Sequence, residues 1–283
     1  MNLIGMSLPF AYLTGQSKTT FDALLGPVDT GLVLLKNRGV NSIEIRTAQP
    51  HDDPDLAQLA AQRIWDAGLE LSIHGGLPAF PIQTPFETSY PLLDRLANLL
   101  HQQGKVAFVA IHAYQHNTTA SNQLAQQTVA AFGYITTLCE QQHLPFRFAL
   151  ELNRSKTLMD PANTYESVLA MHDQINHTNV GLCWDFGHGY SNYCAGLIAE
   201  YPPVSFLKSV IHTHIHDLAP NRQTHWPLTQ RRLPLQAYVD LLKSVYYQGV
   251  WNMELEPERY KDQPDITNQI LESVDLLRQA VGE

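Results

Sequence analysis

The chain has 283 residues, 44% hydrophobic and 16% charged, with a formal net charge of −9. That is enough apolar residue for a sizeable single core, and the acidic balance argues against a partner gripped mainly through a phosphate backbone, so no nucleic acid is expected. Cys139, Cys183 and Cys194 make no paired framework and no Cys-x-x-Cys, which points to a reduced, cytoplasmic compartment.

The opening MNLIGMSLPFAYLTG is apolar but lacks a basic start. It is far shorter than the ~20 residues that cross a bilayer, so it reads as a strand and no membrane partner is expected. Leu3–Ala11 is strand one. Thr20–Asn37 carries spaced apolar residues broken by Gly26-Pro27. Ser42–Ala48 alternates with period two and is strand two. Asp55–Gly68 has helical spacing and stops at a glycine. Leu69–His74 is strand three, Leu92–Gln103 a helix, and Ala107–Tyr114 strand four. Ala120–Gln142 is a long helix, Arg147–Asn153 strand five, and Thr164–Ile175 a helix. Val180–Asp185 is strand six, too short for a helix and apolar enough to be buried on both faces. Leu197–Leu207 is predicted as a helix interrupted by Pro202-Pro203. Val210–Asp217 is strand seven, Leu235–Tyr247 a helix, Val250–Glu256 strand eight, and Asp265–Val281 a closing helix.

Eight strands alternating with helical connections argue for a closed, parallel (β/α)₈ barrel, one domain over 1–283. A doubly wound open sheet would want a glycine-rich phosphate loop after strand one, and SLPFAYLTG does not supply it.

Chemistry in such a barrel collects at the C-terminal ends of the strands. Those ends carry His74, then His112 with His116 beyond it, then Glu151. They continue with Asp185 and His188, the run His212, His214 and His216, and Glu254 with Glu256. An apolar strand ending in an unpaired acid or imidazole is costly, and converging carboxylates repel. A divalent cation relieves both. The bland alternatives are a helix cap for Asp185 and hydrogen-bonded wall positions for His74 and His112. Glu151, flanked by apolar residues in FALELN, is harder to read that way. Alternation puts His212, His214 and His216 on one face, so at most two can reach one ion. The third is an outer or solvent-facing group. Glu254 and Glu256 also share a face, the deeper one being the better ligand.

The order Glu, Asp-x-x-His, His-x-His, Glu on strands five to eight resembles the xylose isomerase-like TIM barrels. The likeness runs from IEIR at Ile43–Arg46 to MELEP at Met253–Pro257. That group includes sugar and sugar-phosphate isomerases and epimerases, hydroxypyruvate isomerase, inosose dehydratase and the endonuclease IV branch. The resemblance implies Glu151, Asp185, His214 and Glu254 as metal ligands, with His214 chosen over His212 as the second His of the pair. It implies Glu151 and Glu254 as the catalytic acid and base. His188, His74 and His112 would face the substrate. NRSK at Asn153–Lys156 resembles a segment carrying a substrate-contacting Glu in ketose 3-epimerases. Lys156 stands there instead, which disfavours a plain ketohexose. Arg222 matches an arginine that follows strand seven in those enzymes.

The implied activity is metal-dependent isomerisation or epimerisation of a small carbohydrate through a metal-chelated enediolate. An inosose dehydratase-like lyase is a variant of it. Mn²⁺ or Mg²⁺ suits a carboxylate-rich set, with Zn²⁺ or Co²⁺ also compatible. Family resemblance further implies a homodimer or homotetramer. The first rival is an endonuclease IV-like phosphodiester hydrolase with three zinc ions. It needs an Asp-x-His after strand seven, where this chain reads Gln223-Thr224-His225. The second rival is a non-catalytic sugar-binding barrel.

Overall fold

Eight short apolar segments form the strands of the computed structural model, which describes residues 2–82, 88, 90–116, 118–155 and 160–283. They are β1 (Leu3–Pro9), β2 (Ser42–Arg46), β3 (Glu70–Gly75), β4 (Ala107–Ile111), β5 (Phe146–Glu151), β6 (Val180–Asp185), β7 (Val210–Ile215) and β8 (Val250–Met253). Each runs parallel to its neighbour in chain order, and β1 pairs with β8, so the sheet closes on itself. This is the (β/α)₈ barrel that the alternation predicts.

Helices cover the outside because their apolar residues recur at three and four. Pro54–Asp66 buries Ala57, Ala60, Ala61 and Ile64, and Pro91–Gln103 buries Leu92, Leu93, Leu96, Ala97 and Leu100. Each buried leucine contributes about 1.5–3 kcal/mol. The first of these helices starts cleanly. Asp53 accepts the Asp55 N–H at 2.9 Å, and Pro54, which has no N–H to leave unmet, takes the first turn.

The predicted layer at 20–37 is two helices, Thr20–Leu25 and Val28–Asn37, parted at Gly26-Pro27. Leu197–Leu207 is not a helix. Pro202 and Pro203 have no backbone donor, and the helix begins only after them, at Val204–Ser209. A helix that the periodicity does not predict, here αS (Phe186–Cys194), starts directly where β6 ends. β4 and β8 stop short of the predicted spans, so His112 and Glu254 lie just past the last ladder pair. The Glu254 N–H still donates to Ile215 O at 3.1 Å, which holds it to β7.

The ladder between β6 and β7 slips between Leu182 and Cys183. At that slip a Cβ on Gly181 would lie 2.7 Å from the Ile211 side chain, so only glycine lets the strands close. Beyond the slip, Asp185 is the lateral partner of His214. Among the described residues no helix is long and apolar enough to cross a membrane.

Candidate metal centre and active-site cavity

The strand register delivers four donors to one point at the C-terminal mouth. One donor atom each from Glu151, Asp185, His214 and Glu254 lies within 4.8 Å of the others, and all four residues are buried. His214 Nδ1 is 3.2 Å from Glu151 Oε2 and 3.4 Å from Glu254 Oε2. Neither contact is a hydrogen bond. Both Glu151 oxygens, Glu254 Oε2 and His214 Nδ1 are buried without a hydrogen-bond partner. Buried carboxylates left in that state cost several kcal/mol each. Orphaned donors aimed at one point, carboxylate oxygens and one imidazole nitrogen, fit a divalent cation.

Asp185 is a helix cap and a member of this cluster at once. Its Oδ1 accepts the His188 N–H at 2.7 Å, which starts αS and carries His188 over the mouth. His216 orients the same carboxylate. His216 Nδ1 accepts the His225 backbone N–H at 2.9 Å, so its proton sits on Nε2, which lies 3.1 Å from Asp185 Oδ1. The His225 ring stacks on His216 with centroids 4.2 Å apart. Space for the His216 ring comes from Gly187, where a Cβ would lie 1.9 Å from His216 Cε1. His216 is thus fully buried, not solvent-facing.

Below the cluster, Glu44 of β2 is buried inside the barrel. It accepts Ser7 Oγ–H at 2.6 Å and Asn252 Nδ2–H at 2.9 Å. His212 Nε2 and His214 Nε2 approach its Oε2 at 2.8 and 3.1 Å. Burial alone would raise the Glu44 pKa, but the His214 and His212 imidazoles outweigh it and hold the carboxyl far below its usual range. An ionised carboxylate only accepts, so both imidazoles donate from Nε2. His214 therefore turns its Nδ1 up to the cluster. Burial would lower its pKa, but Cys183 and the Glu44, Glu151 and Glu254 carboxylates raise it well above the usual imidazole value. Nδ1 is the nitrogen that would give up its proton to an ion, while His212 is committed to Glu44.

Above the cluster opens a cavity of about 500 Å³ lined by His74, His112, His188 and His225 among others. His112 Nε2 is 3.0 Å from Glu151 Oε1, and His74 lies 3.4 Å from Glu151 and 3.3 Å from Glu254. His188 Nδ1 is 3.0 Å from Asp185 Oδ2 and 3.4 Å from Glu151 Oε1. Burial would raise the Glu151 pKa, but His112, His214 and His74 hold it well below the carboxylate range. Glu254 is likewise held low against its burial, by His214, His225 and His74.

The structure thus brings together Glu151, Asp185, His214, Glu254, His74, His112 and His188. Arg222 is exposed in a surface turn and does not line the cavity, whereas Lys156 lies outside the described residues. Glu256 reaches the cavity paired with Arg259. Sequence reasoning did not single out Glu44, Arg46, Asn153, Arg154 or Arg259. An acid in the middle of the apolar alternation SIEIR was the available signal for Glu44.

Residues 32–280 match the family described as xylose isomerase-like TIM barrel. Among solved structures, D-allulose 3-epimerase from Methylomonas sp. in complex with D-allulose superposes with a TM-score of 0.66 at 14% identity, over 99% of this chain and 98% of that one. An L-ribulose 3-epimerase gives 0.67 at 17% identity, over 100% and 95%. The IOLI protein with a binding zinc atom gives 0.61 at 17% identity, over 98% of each. At these identities the likeness is one of fold. An uncharacterized protein of Methanocaldococcus jannaschii is 34% identical over 73 residues, a match spanning 24% of this chain and 27% of that one.

Proposed function

The chain belongs to the xylose isomerase-like TIM barrel family, and from that premise we propose that it is a divalent-metal-dependent isomerase or epimerase of a small sugar or sugar phosphate. The observation that carries this reading is the convergence of two orphaned glutamates, Glu151 and Glu254, on one point at the floor of a sugar-sized cavity. Glu151, Asp185, His214 and Glu254 would hold the ion. Mn²⁺ or Mg²⁺ suits the three carboxylates, and the imidazoles crowding the site also admit Zn²⁺ or Co²⁺. When bound, it would polarise a substrate carbonyl as a Lewis acid and acidify the neighbouring C–H.

The two glutamates then divide the proton work. They come from β5 and from just past β8, with β6 and β7 between them, and so would meet the substrate from different sides. One removes the proton from carbon, leaving an enediolate, and the other returns a proton to the opposite face or to the adjacent carbon. The first outcome is epimerisation, the second isomerisation. His188 and His74 lie beside the carboxylates and would bond substrate oxygens. An inosose dehydratase-like elimination would use the same proton abstraction.

One observation favours a second reading. His74, Glu151 and His214 form a further close donor group, and His112 lies beside it, as a phosphodiester hydrolase with several zinc ions would require. Against it, Gln223 stands where that chemistry needs an acid, and its Oε1 accepts the Trp226 Nε1–H at 3.3 Å. The test is a panel of keto sugars, their phosphates and inososes in deuterated water with Mn²⁺, Mg²⁺ or Co²⁺, followed by NMR. Deuterium entering the carbon beside the carbonyl supports the isomerase. No epimerisation, isomerisation, dehydration or exchange across the panel ends it, and nicking of abasic DNA would install the hydrolase.

A further inference from the structure

Three arginines line the same cavity: Arg46 at the end of β2, Arg154 three residues past Glu151, and Arg259 after β8. Two of them are largely committed. Arg259 pairs with Glu256, and its Nη1 donates to Thr224 O and Thr224 Oγ1, each at 3.0 Å. Arg46 Nη1 donates to Leu255 O at 3.1 Å and stands 3.9 Å from Glu254 Oε1, but its Nε is buried with no acceptor. Arg154 has no ion pair among the described residues. Burial, and then the positive charge of Arg259, lower its pKa from the usual guanidinium value.

The segment that carries Arg154 is held in place from αS. Asn192 Nδ2–H donates to Asn153 O at 2.9 Å, and Asn192 Oδ1 accepts the Ser155 N–H at 2.9 Å. Asn153 is 1% exposed and lines the cavity, yet both atoms of its side-chain amide lack a partner. Among the described residues the cavity wall therefore presents a guanidinium with no carboxylate partner, a second guanidinium with a buried orphan N–H, and an orphan amide. The carboxylates that also line it are spoken for, Glu254 by the metal cluster and Glu256 by Arg259. Groups in that condition are satisfied by a ligand oxyanion with a hydroxyl beside it.

We propose that the natural ligand carries an anionic group, a phosphate or a carboxylate, bound by Arg154 on the cavity wall it shares with Arg259 and Arg46, while the Asn153 amide bonds a neighbouring hydroxyl. The inference narrows the substrate class of the isomerase or epimerase reading. Its binding half does not depend on that reaction.

The experiment is calorimetry on the metal-loaded full chain with matched probes: ribose against ribose 5-phosphate, and glucose against gluconate. At least one anionic probe should bind about tenfold or more tighter than its neutral parent. Raising the salt should erode that margin and leave the neutral sugars unaffected. Arg154→Gln should abolish the margin at unchanged metal content, and Arg154→Lys should restore part of it. A phosphate-only or carboxylate-only preference identifies the group. Equal binding of neutral and anionic partners overturns the proposal, as does an Arg154→Gln chain that folds, by circular dichroism, and keeps the preference. Should Arg154→Gln not fold, the wild-type salt dependence and Arg154→Lys decide. Anion preference without carbon-bound proton exchange on the sugar panel would remove the isomerase reading and leave this one standing. Exchange on neutral sugars without anion preference would do the reverse.

Discussion

Glu44 accepts the Nε2–H of His214 at 3.1 Å from the barrel interior, and this bond aims the opposite ring nitrogen at Glu151 and Glu254. The imidazole cannot rotate without giving up a hydrogen bond to a buried carboxylate. Glu44 in turn is locked by Ser7, Asn252 and His212. A carboxylate behind a ligand imidazole fixes its tautomer and raises its basicity. The polar layer inside the barrel thus serves the mouth above it.

Glu44→Gln should therefore weaken metal binding without touching the cluster. An amide must give up either an acceptor or its orientation among these donors, and its NH₂ can face an imidazole N–H. Metal affinity should fall about 10–100-fold, and the fold should lose about 1–3 kcal/mol for the mismatched buried group. Isothermal titration with Mn²⁺ and a denaturant melt of the chelated chain measure the two. Unchanged affinity would show that His214 holds its ring position without Glu44.

Gly187→Ala reverses the usual helix rule. In an ordinary helix interior the change gains about 1 kcal/mol. Here the new Cβ would meet His216 Cε1 at 1.9 Å and push the ring off Asp185. The variant should lose about 1–3 kcal/mol to overpacking and bind metal more weakly. Gly187→Ala with His216→Ala should recover the stability but not the metal affinity. If the single variant is as stable as wild type, the ring has room that the structure does not give it.

Most of the barrel is legible in the chain because parallel strands buried on both faces must be short apolar runs, and LELSIH, FRFALE and VGLCWD are such runs ending in an acid or imidazole. αS was hidden by Gly187 and Gly189, which suppress helical propensity, while the Asp185 cap that starts it looks equally like a ligand. Glu44 was hidden for a different reason. Its partners His212 and His214 lie 168 and 170 residues away, and only closure of the barrel brings β2 and β7 to a common interior. Arg154 and Arg259 sit past the ends of their strands, in connections whose conformation periodicity does not encode. Arg222 rested on family resemblance, which carries no loop geometry; in the structure it lies in a surface turn outside the cavity lining.

His225 gives the fold a pH dependence. Burial, followed by the facing His216 imidazole, pushes its pKa down to about 3. An unfolded histidine titrates near 6.5. Between those values the unfolded chain binds a proton that the folded chain refuses. The contribution is complete above about pH 6.5 and is lost as the pH falls towards 3, by at most about 1.4 kcal/mol per pH unit. Urea melts of the chelated protein should show wild type losing stability over this window more steeply than His225→Gln. Parallel pH profiles for the two chains would mean that His225 protonates freely in the folded state.

Glu151 and Glu254 are proposed as both ligands and proton carriers, and amide replacement separates the two roles. Gln keeps an oxygen able to touch the ion but cannot take a proton. Glu151→Gln and Glu254→Gln should each lower metal affinity modestly while turnover falls roughly 10²–10⁴-fold, the usual share of a positioned acid or base. The two variants should differ in isotope exchange. Loss of the glutamate that abstracts the proton stops exchange of the substrate C–H with deuterated water. Loss of the other leaves exchange running while net conversion stalls, because the first glutamate can still remove and return the proton on its own face. Run from the product side the pattern should invert, since each glutamate is the base for one direction. If both variants lose exchange and conversion in step in both directions, the two carboxylates do not divide the proton work, and one of them is a ligand alone.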